Sequence, residues 1–510
     1  MAHRVTTLLS AQVRAALCWL AALACGASLA HRAFHARDDD ERGDGNSGHA
    51  QIDFGGQWLM GRLLLTGRGH EVYHRQVQWA ELRRAFPVRR EAPSQSAWVK
   101  PPRDASERHD DENLMFWFMG TDPPAWKHLG GAVCGPLAVP PNPLAGFAHE
   151  RAAVAAVSPE LVAKLNEPAI GGPLYPPAHA LLYAPLGALD PQPAYRAFQL
   201  LSVLFVYAAA LGIKALTGGR VWCSVAALAL FLYPGTRGAL DLGQNATLTL
   251  AIVVWGWALA ARGYWRAGGA VWGLLAFKPV WGLALFLVPL LMRKWRFCAA
   301  MVGTGAVLGA LTLPLVGLQS WFDWLKVGGE ASALYKTNEA WIDLSRDVQS
   351  LPRRALHDFE KPAAERDTAR SAGLARGLWL FVLAGTAGVY LWRGDRTRPT
   401  GLSAGFAFLG GYLSCFHFMY YDALISAAAL AVLFGAREAR RSWFAWACVA
   451  VCFAFENALN ALKWQFAFGG VTFDTGVRFP WDTFALLALW AWAGAKLLRR
   501  GEEPTSRERE

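Results

Sequence analysis

The chain has 510 residues, 54% of them apolar and only 17% charged, with 24 Trp and 28 Phe. A single soluble core cannot hide that much apolar surface, so the composition excludes an ordinary soluble domain and calls for a bilayer. The net charge of +11 does not signal nucleic-acid binding, because the basic residues sit at the edges of apolar blocks and in one long loop rather than in a stripe with exposed aromatics.

The first apolar block runs from about Ala15 to Ala30, after His3, Arg4 and Arg14. It reads as a first transmembrane helix over residues 1–30, and its small-residue end also fits a signal peptide; in both readings the next segment lies outside. Residues 31–194 form a long exoplasmic loop. Within it, 36–50 and 87–112 read as irregular chain, and 53–75 carries apolar residues at helical spacing, which predicts an amphipathic helix on the membrane surface. The stretches 113–120 and 175–189 are too short to span but apolar enough to enter the interface.

Further apolar blocks follow at about 195–215, 221–234, 245–261, 268–292, 297–317, 374–392, 402–415, 421–435, 443–462 and 481–498. The basic clusters between them, such as Lys214/Arg220, Arg293/Lys294/Arg296 and Arg437/Arg440/Arg441, are all cytoplasmic only if 268–292 enters and leaves on one side. Lys278-Pro279 at its centre is a natural break for such a hairpin. The expected fold is therefore an all-α integral membrane protein of about twelve transmembrane or half-membrane helices. Residues 195–317 make one bundle, 318–373 a second exoplasmic loop, 374–498 a C-terminal bundle and 499–510 a cytoplasmic tail. The turn at 235–244, the junction at 416–420 and residues 463–480 also lie outside.

Six of the eight cysteines lie inside apolar blocks, Cys415 at a block edge and Cys134 in the long loop, which gives neither a disulfide framework nor a zinc site. Phosphate-loop, dinucleotide and HExxH motifs are absent, and the acidic runs at 38–41 and 110–112 read as solvated charge, so no metal and no cofactor is expected.

The candidate site residues lie at the predicted outer boundary. Asp53 opens the surface helix, either as a simple N-cap or as a general base for an acceptor hydroxyl. Asp241, Gln244 and Asn245 occupy a predicted tight turn, where they either reverse the chain or bind sugar hydroxyls. Lys278 lies inside an apolar hairpin, at a cost of roughly 2.5–3.5 kcal/mol on insertion scales; it is either internally paired or placed to meet a lipid phosphate. His417 is a candidate phosphate ligand or proton donor, with Asp422 to orient it, and Tyr420 and Tyr421 fit an interface belt as well as a site. Tyr175 is a further supporting candidate. Glu456, Asn457 and Asn460 share one face of a span, and Trp321, Asp323, Glu330, Tyr335, Lys336, Asn338 and Glu339 form a possible acceptor rim.

Four stretches carry a family resemblance: DFGGQWLMGRLLLTGRGHEVYHR at 53–75, the run at 171–207 that begins GGPLYPPAHALLY, LDLGQNATLTL at 240–250, and GGAVWGLLAFKPVWGLALFLVPLLMRKWRF at 268–297. Their order and spacing resemble glycosyltransferase family 87, a group that uses polyprenyl-phosphate sugars and includes mycobacterial mannosyltransferases. The resemblance implies the type C multi-span glycosyltransferase fold, Asp53 as base, a donor site lined by the Gly-Gln-Asn turn and the Lys278 hairpin, and His417 near it. The family's Lys-x-x-Pro is altered here, since Pro279 follows Lys278 directly and Trp281 stands at the usual proline position.

The expectation is an inverting hexosyltransferase that moves mannose from a polyprenyl-phosphate donor to a lipid or glycan acceptor of the cell envelope. It would be a multi-pass plasma-membrane protein with its site facing outside and with membrane lipid, donor and acceptor, but no nucleic acid, as partners. The rival class is a transporter or lipid-sugar flippase. Such proteins commonly repeat their broken helices in two halves, whereas this sequence shows one break.

Overall fold

The computed structural model describes residues 2–35, 54–74, 77–78, 81, 170–334, 336, 339–356, 368–454, 465–468, 471–474 and 480–499. The long helix α1 (Ala2–His35) precedes two short ones, α2 (Gly55–Leu65) and α3 (Ala178–Gly187). There follow α4 (Pro191–Leu216), α5 (Cys223–Phe231), α6 (Thr236–Leu242), α7 (Ala246–Ala261), α8 (Trp265–Gly273), α9 (Pro279–Leu291) and α10 (Trp295–Leu334). The C-terminal part adds α11 (Glu339–Leu344), α12 (Ser350–Leu356), α13 (Thr368–Arg393), α14 (Leu402–Leu413), α15 (Ser426–Leu433), α16 (Arg437–Arg441), α17 (Trp443–Ala454) and α18 (Trp481–Arg499). One antiparallel pair, β1 (Gln465–Phe468) with β2 (Val471–Asp474), separates the last two helices.

Helices suit an apolar solvent because they satisfy their own backbone N–H and C=O groups. Ser10–Phe34, Pro191–Leu216, Trp295–Gly329 and Thr368–Arg393 are long and apolar enough to cross a membrane, and the bent pair α5–α6 brings the number to as many as five. Their outer faces carry Leu20, Leu204, Val302 and Phe381, each 59% to 64% exposed, as a lipid-covered surface requires. The remaining apolar helices, including α7, α9 and α14, have 10–17 residues and are shorter than a straight crossing needs.

Several expectations meet a different geometry. The first helix extends to His35 and packs its inner face against α4 and α5, with Ala22 fully buried and Gly26 against Phe231. The segment predicted as a tight turn at 235–244 contains the short helix α6, which meets α5 at 66°. Gly235 (φ 86) and Gly243 (φ 63) bracket it, and both adopt the left-handed backbone that other residues resist. The predicted surface helix over 53–75 is an 11-residue helix, α2, buried along most of its length. Apolar periodicity marked a helix correctly, but the face assigned to lipid is covered by α3.

The α2–α3 crossing is made by glycines. A Cβ at Gly61 would run into the Tyr183 carbonyl, and one at Gly187 would lie 2.5 Å from the Arg62 amide nitrogen. Small residues here let two backbones approach, a device common where helices pack without a hydrophobic drive between them.

The hairpin at 268–292 has its break at Lys278, whose φ of −139° leaves the helical region between a 3₁₀ turn, Leu274–Phe277, and α9. Its ends return to one level. Lys294 lies 4.5 Å from the centroid of the Trp265 ring, and the first turns of α10 run alongside α8, with Gly269 on Phe297 and Gly273 on Met301.

Two apolar clusters result. The larger is built from α4 to α9 and the C-terminal helices, around Trp257, Trp272, Phe297 and Phe408. The smaller joins α2, α3 and the start of α4 around Phe54, Tyr183, Tyr195 and Phe198. Gly61→Val should overpack the α2–α3 crossing, costing about 1–3 kcal/mol or more. Gly303→Ala, where a Cβ meets nothing within 4 Å, should leave stability unchanged or slightly raised. Thermal unfolding in detergent checks both; equal transitions for the two variants would contradict this packing.

Candidate functional site

The left-handed Gly243 ends α6 and turns Gln244 and Asn245 toward α2. A Cβ on Gly243 would lie 2.8 Å from the Phe54 Cβ, so this turn and the entry to α2 fit only with glycine between them. Gln57 Nε2 donates to the Gly243 carbonyl at 3.0 Å, and Asn245 Nδ2 donates to Gln57 Oε1 at 3.1 Å. Tyr175 donates its hydroxyl to Gln244 Oε1 at 2.8 Å, and the Tyr73 hydroxyl donates to the Tyr175 carbonyl at 2.6 Å. Burial pushes the Tyr73 hydroxyl well above its ordinary pKa, with the Asp323 charge acting in the same sense, so it is a neutral donor.

Asp241 has a different commitment from its neighbours. Its carboxylate pairs with Arg32 of α1 and lies 3.7 Å from Arg237, while Tyr195 donates to its backbone carbonyl at 2.7 Å. It ties the first helix to α6.

Lys278 is buried at the hairpin break and donates to both carboxylate oxygens of Asp422, at 2.7 and 2.9 Å. The Tyr421 ring lies 5.5 Å from its ammonium. The 3₁₀ turn carrying Tyr420, Tyr421 and Asp422 is seated on α6, where Gly235 meets the carbonyls of Tyr420 and Tyr421 and a Cβ on Gly238 would lie 2.5 Å from the Tyr420 ring. Asp422 therefore serves Lys278 rather than His417, because the turn aims its carboxylate at the hairpin.

The carboxylate beside His417 comes from Asp347, 3.3 Å from Nδ1, with Ser345 Oγ at 3.5 Å and the Trp341 ring stacked at 6.4 Å. Asp347 is held in turn by the Ser350 amide at 3.0 Å. Its segment is pinned to the His417 strand of chain by the Ser345–Met419 bridge and by Arg346 N–H donating to Phe418 O at 2.9 Å. Behind it, Arg346 faces Asp482 at 3.3 Å, both buried.

Sequence reasoning singled out Gln244, Asn245, Lys278, His417, Tyr175, Tyr420, Tyr421 and Asp422; Gln57 joins the Gln244–Asn245 turn, Tyr175 holds Gln244, and the Tyr175 ring stacks on His179, whose Nδ1 lies 3.4 Å from the Phe277 carbonyl beside the Lys278–Asp422 pair. Asp53 lies outside the described residues, as do Glu456, Asn457 and Asn460 and the side chains of Glu330, Tyr335, Asn338 and Glu339. Of the proposed rim, Asp323 is buried and accepts from Gln319 at 2.8 Å, and Lys336 is exposed. Sequence reasoning missed Gln57, His179 and Asp347. A buried amide on an apolar helix face was a usable signal for Gln57; Asp347, amid a charged loop, offered none. No cluster of three or more His, Cys, Asp or Glu suited to a metal occurs among the described residues.

Removing one member of the Lys278–Asp422 pair strands the other in a dry site, which commonly costs about 3–5 kcal/mol. Asp422→Asn should therefore destabilise strongly, while the double variant Lys278→Met/Asp422→Leu should recover most of the loss. Thermal unfolding of the three proteins measures this, and a double variant no more stable than Asp422→Asn would contradict it.

Residues 174–418 match the model of glycosyltransferase family 87. An alpha-(1->3)-arabinofuranosyltransferase of Mycobacterium tuberculosis, found in two strains, is 32% identical over 150 residues, which cover 28% of this chain and 34% of the relative. The match thus spans about a third of the length of the curated relatives. No solved structure matches. Tyr175, Gln244, Asn245, Lys278 and His417 all fall inside the matched stretch, so the similarity to glycosyltransferase family 87 covers most of the candidate site.

Proposed function

We propose that the protein is a membrane glycosyltransferase that takes its sugar from a polyprenyl-phosphate donor, with the type C multi-span fold and a site on the outer face of the plasma membrane. One observation carries the reading: Gln244, suited to sugar hydroxyls, is held by Tyr175, whose ring stacks on His179, and His179 lies 3.4 Å from the Phe277 carbonyl next to Lys278, a buried cation suited to a phosphate, all within residues 174–418.

In this mechanism Asp53 removes the proton of the acceptor hydroxyl, whose oxygen attacks the anomeric carbon as the bond to the lipid phosphate breaks, inverting the configuration. Asp53 precedes Phe54 in the sequence, and Phe54 packs against Gly243 and Tyr195. The departing phosphate gains negative charge in the transition state, and Lys278 with His417 supplies the fixed donors that stabilise it. Asp422 offsets the Lys278 charge, and Asp422 and Asp347 hold the two side chains in place, so the site is organised before the donor arrives. Gln244 and Asn245 bind the sugar, and the amide-to-amide bonding through Gln57 fixes their orientation.

The sugar expected from the family resemblance is mannose, a hexose. The relative's name specifies an arabinofuranosyl group, a pentose, and both donors belong in the assay. The acceptor is a lipid or a cell-envelope glycan.

Protein in liposomes with labelled mannosyl or arabinofuranosyl lipid phosphate should build the label into an acceptor. Asp53→Asn should lose transfer by ~10²–10⁴-fold while remaining folded and inserted. Near-normal turnover by that variant would remove the base assignment, and labelled lipid that only changes leaflet would favour a flippase.

A further inference from the structure

His179 was not among the residues chosen from the sequence, yet it lies between the sugar-binding and phosphate-binding halves of the network. It is fully buried in α3, and its ring is sandwiched between Tyr175, with centroids 4.0 Å apart, and Tyr183, 4.5 Å apart. His179 and Tyr183 stand one turn apart on α3, and Tyr175 adds its ring to the stack from the bend just before the helix. Tyr175, at one end, is the residue whose hydroxyl holds Gln244.

The imidazole makes one directional contact in this sandwich. Nδ1 lies 3.4 Å from the backbone carbonyl oxygen of Phe277, the residue just before Lys278. A carbonyl only accepts, so Nδ1 carries the hydrogen. The break in the hairpin leaves that carbonyl in need of a partner. In a continuous helix the Trp281 amide would serve it, but Trp281 N–H instead donates to the Lys278 carbonyl at 3.1 Å, and Pro279 has no N–H to offer.

We propose that His179 is the positioning residue for Lys278, a neutral imidazole that clamps the Phe277 carbonyl and so fixes where the broken hairpin holds its ammonium. The proposal rests on the preceding reading only in that Lys278 is there assigned to the donor phosphate. Tyr175 and Tyr183 prevent the ring from swinging, and the clamp fixes the backbone from which the Lys278 side chain reaches Asp422. Burial, aided by the nearby Lys278 charge and opposed by the Phe277 hydrogen bond, lowers the His179 pKa to about 3. The ring therefore stays neutral at physiological pH, which suits a fixed donor to a carbonyl and not a proton carrier.

The altered proline pattern gives this clamp its purpose. With Pro279 directly after Lys278, the chain leaves the helical region at the lysine itself, φ −139° and ψ 70°; its N–H still closes the 3₁₀ turn onto Leu275 O at 2.8 Å, but the Phe277 carbonyl beside it loses its helical donor. A contact from another helix supplies one in its place.

The test is a double-mutant cycle on stability, which requires no turnover. The coupling between Lys278→Met and Asp422→Asn is measured by unfolding of the detergent-solubilised full chain in three backgrounds: wild type, His179→Phe and His179→Asn. Phenylalanine keeps a stacked ring without the donor, whereas asparagine keeps an N–H near the Nδ1 position. The coupling, as a ratio of unfolding constants, should fall roughly tenfold with His179→Phe and return to within about threefold with His179→Asn, a change within the range seen for contacting residues. An unchanged coupling with His179→Phe, or no recovery with His179→Asn, overturns the proposal. Donor turnover by the wild-type protein is scored separately, so a failed glycosyltransferase reading and a failed clamp give different results.

Discussion

The buried ion pair between Lys278 and Asp422 is the constraint on which the rest of the site depends. An ammonium in an apolar bundle requires a partner, and this one receives both oxygens of a carboxylate borne on a different part of the chain. Meeting that demand fixes three things together: the hairpin must break where the lysine stands, the 3₁₀ turn at Tyr420–Ile425 must face the break, and α6 must present glycines beneath that turn. The geometry of the proposed donor site follows from this electrostatic requirement.

The same economy extends outward. Each polar candidate is held by a second polar group from another element: Asn245 by Gln57, Gln244 by Tyr175, His417 by Asp347 and Asp241 by Arg32. Such partners satisfy groups that would be costly to bury alone, and they restrict each side chain to one orientation. In the proposed function this matters because a phosphate leaving group is helped most by donors that need not reorganise as charge develops. The apolar packing around Phe54, Tyr183 and Tyr195 on one side, and around Trp281, Tyr412 and Phe418 on the other, excludes water from the junction.

The sequence made the elements legible wherever one physical rule acted alone. Block lengths located the apolar helices, but of the about twelve expected spans only four, or five with the bent pair, are long and apolar enough to cross a membrane among the described residues; the Lys278-Pro279 break did locate the hairpin. Lys278, the residue at risk in that setting, was found by its cost. What could not be read was pairing between distant segments. Asp422 was matched with His417, five residues away, when its true partner is 144 residues distant, and Asp347 supplied the carboxylate instead. Similarly, the apolar face of α2 was assigned to lipid because periodicity reports that a face is buried and not what buries it; α3, with Gly187 against Gly61, is its cover. His179 was passed over because a histidine amid tyrosines carries no local mark of the carbonyl it meets.

The most direct test of the account is an experimental structure of the full-length protein in lipid with a non-transferable analogue of a polyprenyl-phosphate sugar. The account predicts the analogue's phosphate within hydrogen-bond reach of Lys278 Nζ and His417, and its sugar ring beside Gln244 and Asn245. A phosphate bound elsewhere, with the Lys278–Asp422 pair closed and its surroundings empty, would contradict it.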